Sequence, residues 1–168
     1  MKIARGIENN PECAREELEA ETVQFFVGLA RLAGYPRSVG EIFGVLFASE
    51  RPLAFEEIGE RRQISAGSVS MGLRHLKRSG AVISVPIIGE RREHFTVNTQ
   101  FKQVTARFFR LHMEPIMLAD MERIDRLRHL AGELPDGPRR RCVAGRIKEL
   151  DQWHGLLREF MAPLLTYR

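Results

Sequence analysis

Ser65, Ser68 and Ser70, followed by Arg74, His75 and Arg78, fall within one short stretch, Ser65-Ala66-Gly67-Ser68-Val69-Ser70-Met71-Gly72-Leu73-Arg74-His75-Leu76-Lys77-Arg78-Ser79-Gly80. A hydroxyl both donates and accepts hydrogen bonds, and a guanidinium presents a planar fork of donors that fits a phosphate or the edge of guanine. No general acid, base and nucleophile are brought together here. The chemistry these residue types offer is recognition of a polyanion. Further along, Gly89-Glu90-Arg91-Arg92 adds two more guanidiniums. From Arg61 to Arg92 there are seven Lys and Arg (Arg61, Arg62, Arg74, Lys77, Arg78, Arg91, Arg92) against one acid, Glu90, a local balance of +6. A basic region of this size suits phosphate contact.

These side chains need a helix and a turn to position them. Ser65 is an N-cap residue and Gly80 suits the left-handed position that closes a helix. Between them Val69, Leu73 and Leu76 share one face, while Gly67, Met71, Arg74 and Arg78 share the other. Such a helix packs with its apolar face and offers the small, hydroxylic and cationic one to a DNA major groove; the plainer reading is a solvated polar face. A short helix over 53–63, carrying Phe55 and Ile58, and a tight turn at Gln63-Ile64 precede it. Together they form a helix-turn-helix pattern. After Gly80 the period changes from helical to alternating: residues 81–88 are β-branched, residues 93–98 alternate, and the basic turn lies between them. Helix-turn-helix plus basic hairpin is a winged helix, whose Arg91 and Arg92 reach the DNA backbone or minor groove. Pro86 assigns the first hairpin strand to an edge or a bulge.

The rest of the chain supports that unit. Residues 18–33 carry a helical apolar pattern with Phe25 and Phe26, ending at Gly34. Tyr35-Pro36-Arg37-Ser38 makes a turn into a helix with Val39, Ile42, Phe43, Leu46 and Phe47, the expected core helix. Residues 1–17 read as a flexible segment, and 18–100 as the DNA-binding domain. Residues 101–168 form an arm: a helix over 101–131 kinked near Leu111 to Met113 by Pro115, a break at Gly132 to Pro138, and a helix over 139–166. In the last helix Val143, Ile147, Leu150, His154, Leu157, Met161 and Leu164 step by four and three, broadened by Trp153 and Phe160. Two wide apolar faces exceed what one small domain can cover, so the arm is expected to pair with a second copy. The fold class is therefore mainly α with a small β-hairpin wing, a winged helix-turn-helix plus a dimerisation arm.

Composition narrows the function classes. The 168 residues have a net charge of +4 and 43% apolar content, ordinary for a soluble domain. No apolar run suits a membrane span or a signal peptide. The two cysteines, Cys13 and Cys142, are far apart and form no CxxC, so no disulfide framework is expected and a cytoplasmic setting is natural. No P-loop, dinucleotide loop, HExxH or nucleophile elbow occurs, and His75, His94, His112, His129 and His154 have no metal-ligand spacing. An enzyme, a cofactor and a metal are not expected. His112 and His154 lie in apolar stripes and read as packed histidines with satisfied partners.

Two separated segments, Arg31-Leu32-Ala33-Gly34-Tyr35-Pro36-Arg37-Ser38-Val39-Gly40-Glu41-Ile42-Phe43-Gly44 and Ser65-Ala66-Gly67-Ser68-Val69-Ser70-Met71, resemble the GbsR-type branch of the MarR transcriptional regulators over residues 20–100. The resemblance implies a dimeric winged-helix DNA-binding protein, usually a repressor, with Ser65, Gly67, Ser68 and Ser70 at the DNA. Ala66 replaces a usual basic residue, Arg62-Gln63-Ile64 a usual Leu-Gly-Val, and Ala54 a usual capping Ser or Thr. The resemblance also suggests a choline-like effector, which an aromatic cage drawing on Phe25, Phe108 and Trp153 would hold by cation–π attraction, although these rings also suit a core. Two other functions fit the same fold: a protein-interaction module, and a redox switch acting through Cys13 or Cys142.

Overall fold

Helix α2 (Arg37–Ala48) is buried continuously from Val39 to Leu46, because Val39, Ile42, Phe43, Val45 and Leu46 place apolar side chains right round it. It is the centre of the first of two units, divided between Thr99 and Gln100, in a computed structural model that describes residues 11–166. Helix α1 (Pro11–Leu32) packs along α2. The approach is close: a Cβ on Gly40 would lie 2.5 Å from the Phe26 carbonyl oxygen and the Val27 Cα, and one on Gly44 would lie 2.6 Å from the Val23 Cα. Glycine is needed at both places to let the two backbones touch. Residues 11–17, expected to be flexible, belong to α1, which opens on a proline whose fixed φ suits a first helical position. Residues 1–10 lie outside the described residues.

The unit continues through β1 (Leu53–Ala54), α3 (Phe55–Arg62), α4 (Ala66–Ser79), β2 (Val82–Val85) and β3 (His94–Val97). Leu53 and Ala54, read from sequence as the start of a helix, instead pair antiparallel with Phe95 and His94, giving a three-stranded sheet in the order β1-β3-β2. The hairpin strands are shorter than their apolar runs. The β2–β3 ladder ends at Val85↔His94 because Pro86 has no amide hydrogen to extend it. The core joins Val23 of α1, Ile42 and Leu46 of α2, Leu53 of β1, Ile58 of α3, Val69 of α4 and Val82 of β2. Helices α2, α3 and α4 with the small sheet and its hairpin make this a winged helix, and α1 packs on α2.

The second unit holds α5 (Phe101–His112), α6 (Glu114–Glu133) and α7 (Pro138–Thr166). The expected kink is a break at Met113, with Pro115 in the first turn of α6, where its missing amide costs nothing. Arg128 donates to Asp151 at 2.8 Å and Arg158 approaches the Met121 sulfur at 3.1 Å, so α6 and α7 run antiparallel. In that register the buried residues Met117, Ile124 and Ala131 stand level with the buried Met161, His154 and Ile147. His154 does not have its expected full set of partners: its Nε2 is buried with no hydrogen-bond partner among the described residues. No helix among the described residues is long and apolar enough to cross a membrane.

Candidate nucleic-acid interface

Helix α4 begins where Ser65 Oγ accepts the Ser68 amide at 3.2 Å and ends on Gly80 at φ 72°. The Ser65 and Ser68 hydroxyls are also 3.0 Å apart, so each keeps hydrogen-bonding capacity outward only in part. Val69, Gly72, Leu73 and Leu76 face inward, and a Cβ on Gly72 would meet Ile42 Cδ1 at 2.3 Å. The outward face is Gly67, Ser70, Met71, Arg74 and Arg78, all exposed. Gly67 has no internal reason to be glycine: its φ is not left-handed, and an added Cβ would meet only Ser65 Oγ, at 3.9 Å. His75 is half-buried and lies against the Tyr35 ring, centroids 5.1 Å apart, so part of it serves the fold. Burial pushes the Tyr35 hydroxyl above its ordinary pKa, with the charge of Arg78 acting in the opposite direction.

The preceding turn shows how an arginine takes a position that suits leucine. Glu41 is buried and accepts from Arg37 Nε at 2.9 Å, while the Arg62 guanidinium comes within 3.8 Å of the same carboxylate. Arg62 is thus held by charge, at the expense of a buried Nε with no partner among the described residues. Gln63 takes the left-handed conformation, φ 51° and ψ 41°, that the turn requires. At the start of α3, Ala54 has no side chain to cap with, but Glu57 accepts the Ala54 amide at 2.8 Å and is clasped by Arg51. The Arg51 hydrogen bond, then that of Ala54, lowers the Glu57 carboxyl to about 2.

Ion pairing sorts the seven basic residues between Arg61 and Arg92. Arg61 pairs with Glu19 at 3.6 Å, Arg62 with Glu41, and Lys77 with Glu93 at 2.6 Å. Arg74, Arg78, Arg91 and Arg92 are exposed and have no ion-pair partner among the described residues. These four are the arginines that sequence spacing places on the recognition face and the wing tip. The Lys77 hydrogen bond, then one from Ser84, holds the Glu93 carboxyl below the usual carboxylate range. Glu93 therefore ties α4 to the wing strand β2, and Lys77 also stands 5.5 Å over the Phe95 ring. Sequence reasoning gave Glu93 no role. Its only local signal is its place just before β3, which does not reveal a partner on another helix. At the wing tip Gly89 has φ 87° and the Glu90 amide donates to the Ile87 carbonyl at 3.1 Å, a tight turn that leaves Ile88 fully exposed.

The aromatic residues suggested as a cage are divided between the two units. Phe25 is exposed on α1, edge-on to Phe26 at 5.1 Å; Phe108 lies on α5 against Phe109 and His112; Trp153 is exposed on α7. Cys13 and Cys142 are free and exposed. No group of three or more His, Cys, Asp or Glu among the described residues is arranged to hold a metal ion.

The chain has the fold of a protein known from its crystal structure as a transcriptional regulator, with a TM-score of 0.58 over 88% of this chain and 95% of that one. The two sequences are 20% identical, so the likeness is one of fold. A mutant of S. aureus MepR bound to an oligodeoxyribonucleotide matches with a TM-score of 0.41 at 18% identity, over 94% of this chain and 99% of that one. MepR described as a transcription regulator of the Staphylococcus aureus multidrug efflux pump MepA gives 0.39 at 19% identity, over 91% and 94%. No protein-family model and no curated protein matches the chain.

Proposed function

We propose that this chain is a sequence-specific DNA-binding transcriptional regulator of the MarR type, in the GbsR-like branch, working in the cytoplasm as a homodimeric repressor. One observation carries the reading: four arginines of α4 and the wing, Arg74, Arg78, Arg91 and Arg92, are exposed and have no ion-pair partner among the described residues, while the three other basic residues of the same region are engaged in ion pairs. A guanidinium left without an internal counter-ion is suited to phosphate or a base edge. Arg74, midway along the outward face, is assigned a base-edge contact. Ser65, Ser68 and Ser70 anchor the helix start, Gly67 admits close backbone approach, and His75 flanks them. Arg78, Arg91 and Arg92 contact phosphate or the minor groove. The homodimer rests on the apolar side chains that α6 and α7 leave exposed, among them Leu127, Leu130, Trp153, Leu156 and Phe160. A choline-like effector is the ligand class that aromatic rings such as Phe25, Phe108 and Trp153 would each suit by cation–π attraction, though the first belongs to one unit and the other two to the second.

The deciding experiment compares binding to the DNA upstream of the protein's own gene with binding to random duplex across a salt series. The reading requires a salt-dependent preference for the upstream DNA. Arg74→Ala then costs ~1–3 kcal/mol and relaxes specificity at one base position. Equal binding to both duplexes, or none, rejects the assignment in favour of a protein-interaction module.

A further inference from the structure

Met71 is the only large apolar side chain on the outward face of α4, among Gly67, Ser70, Arg74 and Arg78, and it is 56% exposed. The core does not claim it. Val69, Leu73 and Leu76 fill the inward face, and Gly72, next in the chain, stands so close to α2 that a Cβ would meet Ile42 Cδ1 at 2.3 Å. That contact fixes the rotation of α4 and carries Met71 to the other side. Residues 67, 71, 74 and 78 step by four, three and four, so they form one stripe along the helix. Gly67, one turn before Met71, leaves a notch in that stripe. Beyond its own chain neighbours, an added Cβ there would have only Ser65 Oγ within 4 Å, at 3.9 Å, so Met71 does not fold back into the space. An unbranched thioether thus borders an open notch, one turn from the arginine assigned to a base edge.

We propose that Met71 is a specificity-determining residue that reads the C5-methyl group of a thymine, seated in the notch at Gly67. This inference rests on the DNA-binding reading and deepens it by naming one base of the site. The thymine methyl is the apolar group that the major groove presents, and the other base-edge groups there are hydrogen-bond donors and acceptors. Ser70 and Arg74 suit those polar groups, whereas a thioether gains nothing from them. Against a methyl group its polarizable, flexible chain adapts its shape and excludes water. Three residues separate Met71 from Arg74, a rise of about 4.5 Å along the helix, little more than one base step of about 3.4 Å. The thymine is therefore assigned to within about two base pairs of the base that Arg74 contacts.

The test uses the full chain, the variants Met71→Ala and Arg74→Ala, and a library of randomised duplexes. Sequences selected by the natural protein define its site. Each thymine of that site is then replaced singly by deoxyuridine, which removes the C5-methyl and changes no hydrogen-bonding group. One replacement is expected to weaken binding by the natural protein roughly three- to fivefold, the scale of one methyl group taken out of water. Met71→Ala, a change at an exposed helical position, is expected to keep the melting temperature and to bind that pair of duplexes equally. Arg74→Ala keeps Met71 and is expected to bind more weakly overall while still discriminating thymine from uracil. Indifference of the natural protein to every replacement overturns the proposal. So does full thymine sensitivity in Met71→Ala, or its loss in Arg74→Ala, since the methyl is then read by another group. These three results leave the DNA-binding reading standing. A library from which the natural protein selects no sequence rejects that reading, and this proposal with it.

Discussion

Replacing Gly67 by alanine separates what the helix needs from what a bound ligand needs. Gly67 is the second residue of α4, its backbone is not left-handed, and an added Cβ meets only Ser65 Oγ at the ordinary contact distance of 3.9 Å. Nothing in the fold opposes the methyl group. Alanine should therefore stabilise the helix by ~0.5–1 kcal/mol through reduced freedom of the unfolded chain and better helix propensity. For a chain of this size that corresponds to a rise in Tm of ~1–4 °C, readable by circular dichroism. At a tightly fitted helix–DNA contact the same methyl group is an overpacking change, expected to weaken binding by ~1–3 kcal/mol. The expected result is thus a protein that melts higher and binds its DNA more weakly. A lower Tm refutes the claim that the site is open within the fold. A higher Tm with unchanged affinity refutes close approach of DNA at Gly67 and moves the interface further along α4.

Four further outcomes follow from the same geometry. Gly40→Ala drives a Cβ to 2.5 Å from the α1 backbone, which cannot move as a side chain can, and should destabilise by about 3 kcal/mol or more in urea denaturation. Gln63→Gly removes a side chain from a left-handed residue at φ 51° and should raise stability by ~1 kcal/mol. The Glu57 carboxyl, lowered from 4.5 to about 2, is a group whose stabilisation is complete above its ordinary pKa and disappears as pH falls toward the folded value. Glu57→Gln should lower stability by roughly 1 kcal/mol near neutrality after solvent screening, and the difference should vanish near about pH 2. His154→Leu replaces a buried imidazole whose Nε2 lacks a partner among the described residues and should raise the Tm of the arm, with a gain of about 1 kcal/mol.

The parts of the fold that were legible in sequence are those governed by neighbours in the chain. Ser65 and Gly80 mark the ends of α4 because capping is settled within one helical turn, and the change of apolar period after Gly80 marks the hairpin for the same reason. The two-residue strand β1 was not legible, since Leu53 and Ala54 become a strand only through Phe95 and His94, distant in sequence. The segment Arg37 to Gly44, which carries much of the family resemblance, has a structural role in this chain. Gly40 and Gly44 let α1 and α2 touch, and Glu41 gathers Arg37 and Arg62. Such a motif reports the architecture more directly than it reports any ligand.

The candidate site was legible as a collection of residue types, and less so as a distribution of charge. Counting along the chain treats Arg61, Arg62, Lys77, Arg74, Arg78, Arg91 and Arg92 alike. The fold does not, because a cation acts on an external polyanion in proportion to how little of its field an internal carboxylate already cancels. Glu19, Glu41 and Glu93 come from α1, α2 and the segment before β3, and each removes one cation from the count through a contact between elements. Glu90 is the fourth acid near this surface, and its contact is with His94 rather than with an arginine. Arg91 and Arg92 of the wing stay outside every ion pair among the described residues, which no count of Lys and Arg along the chain reveals.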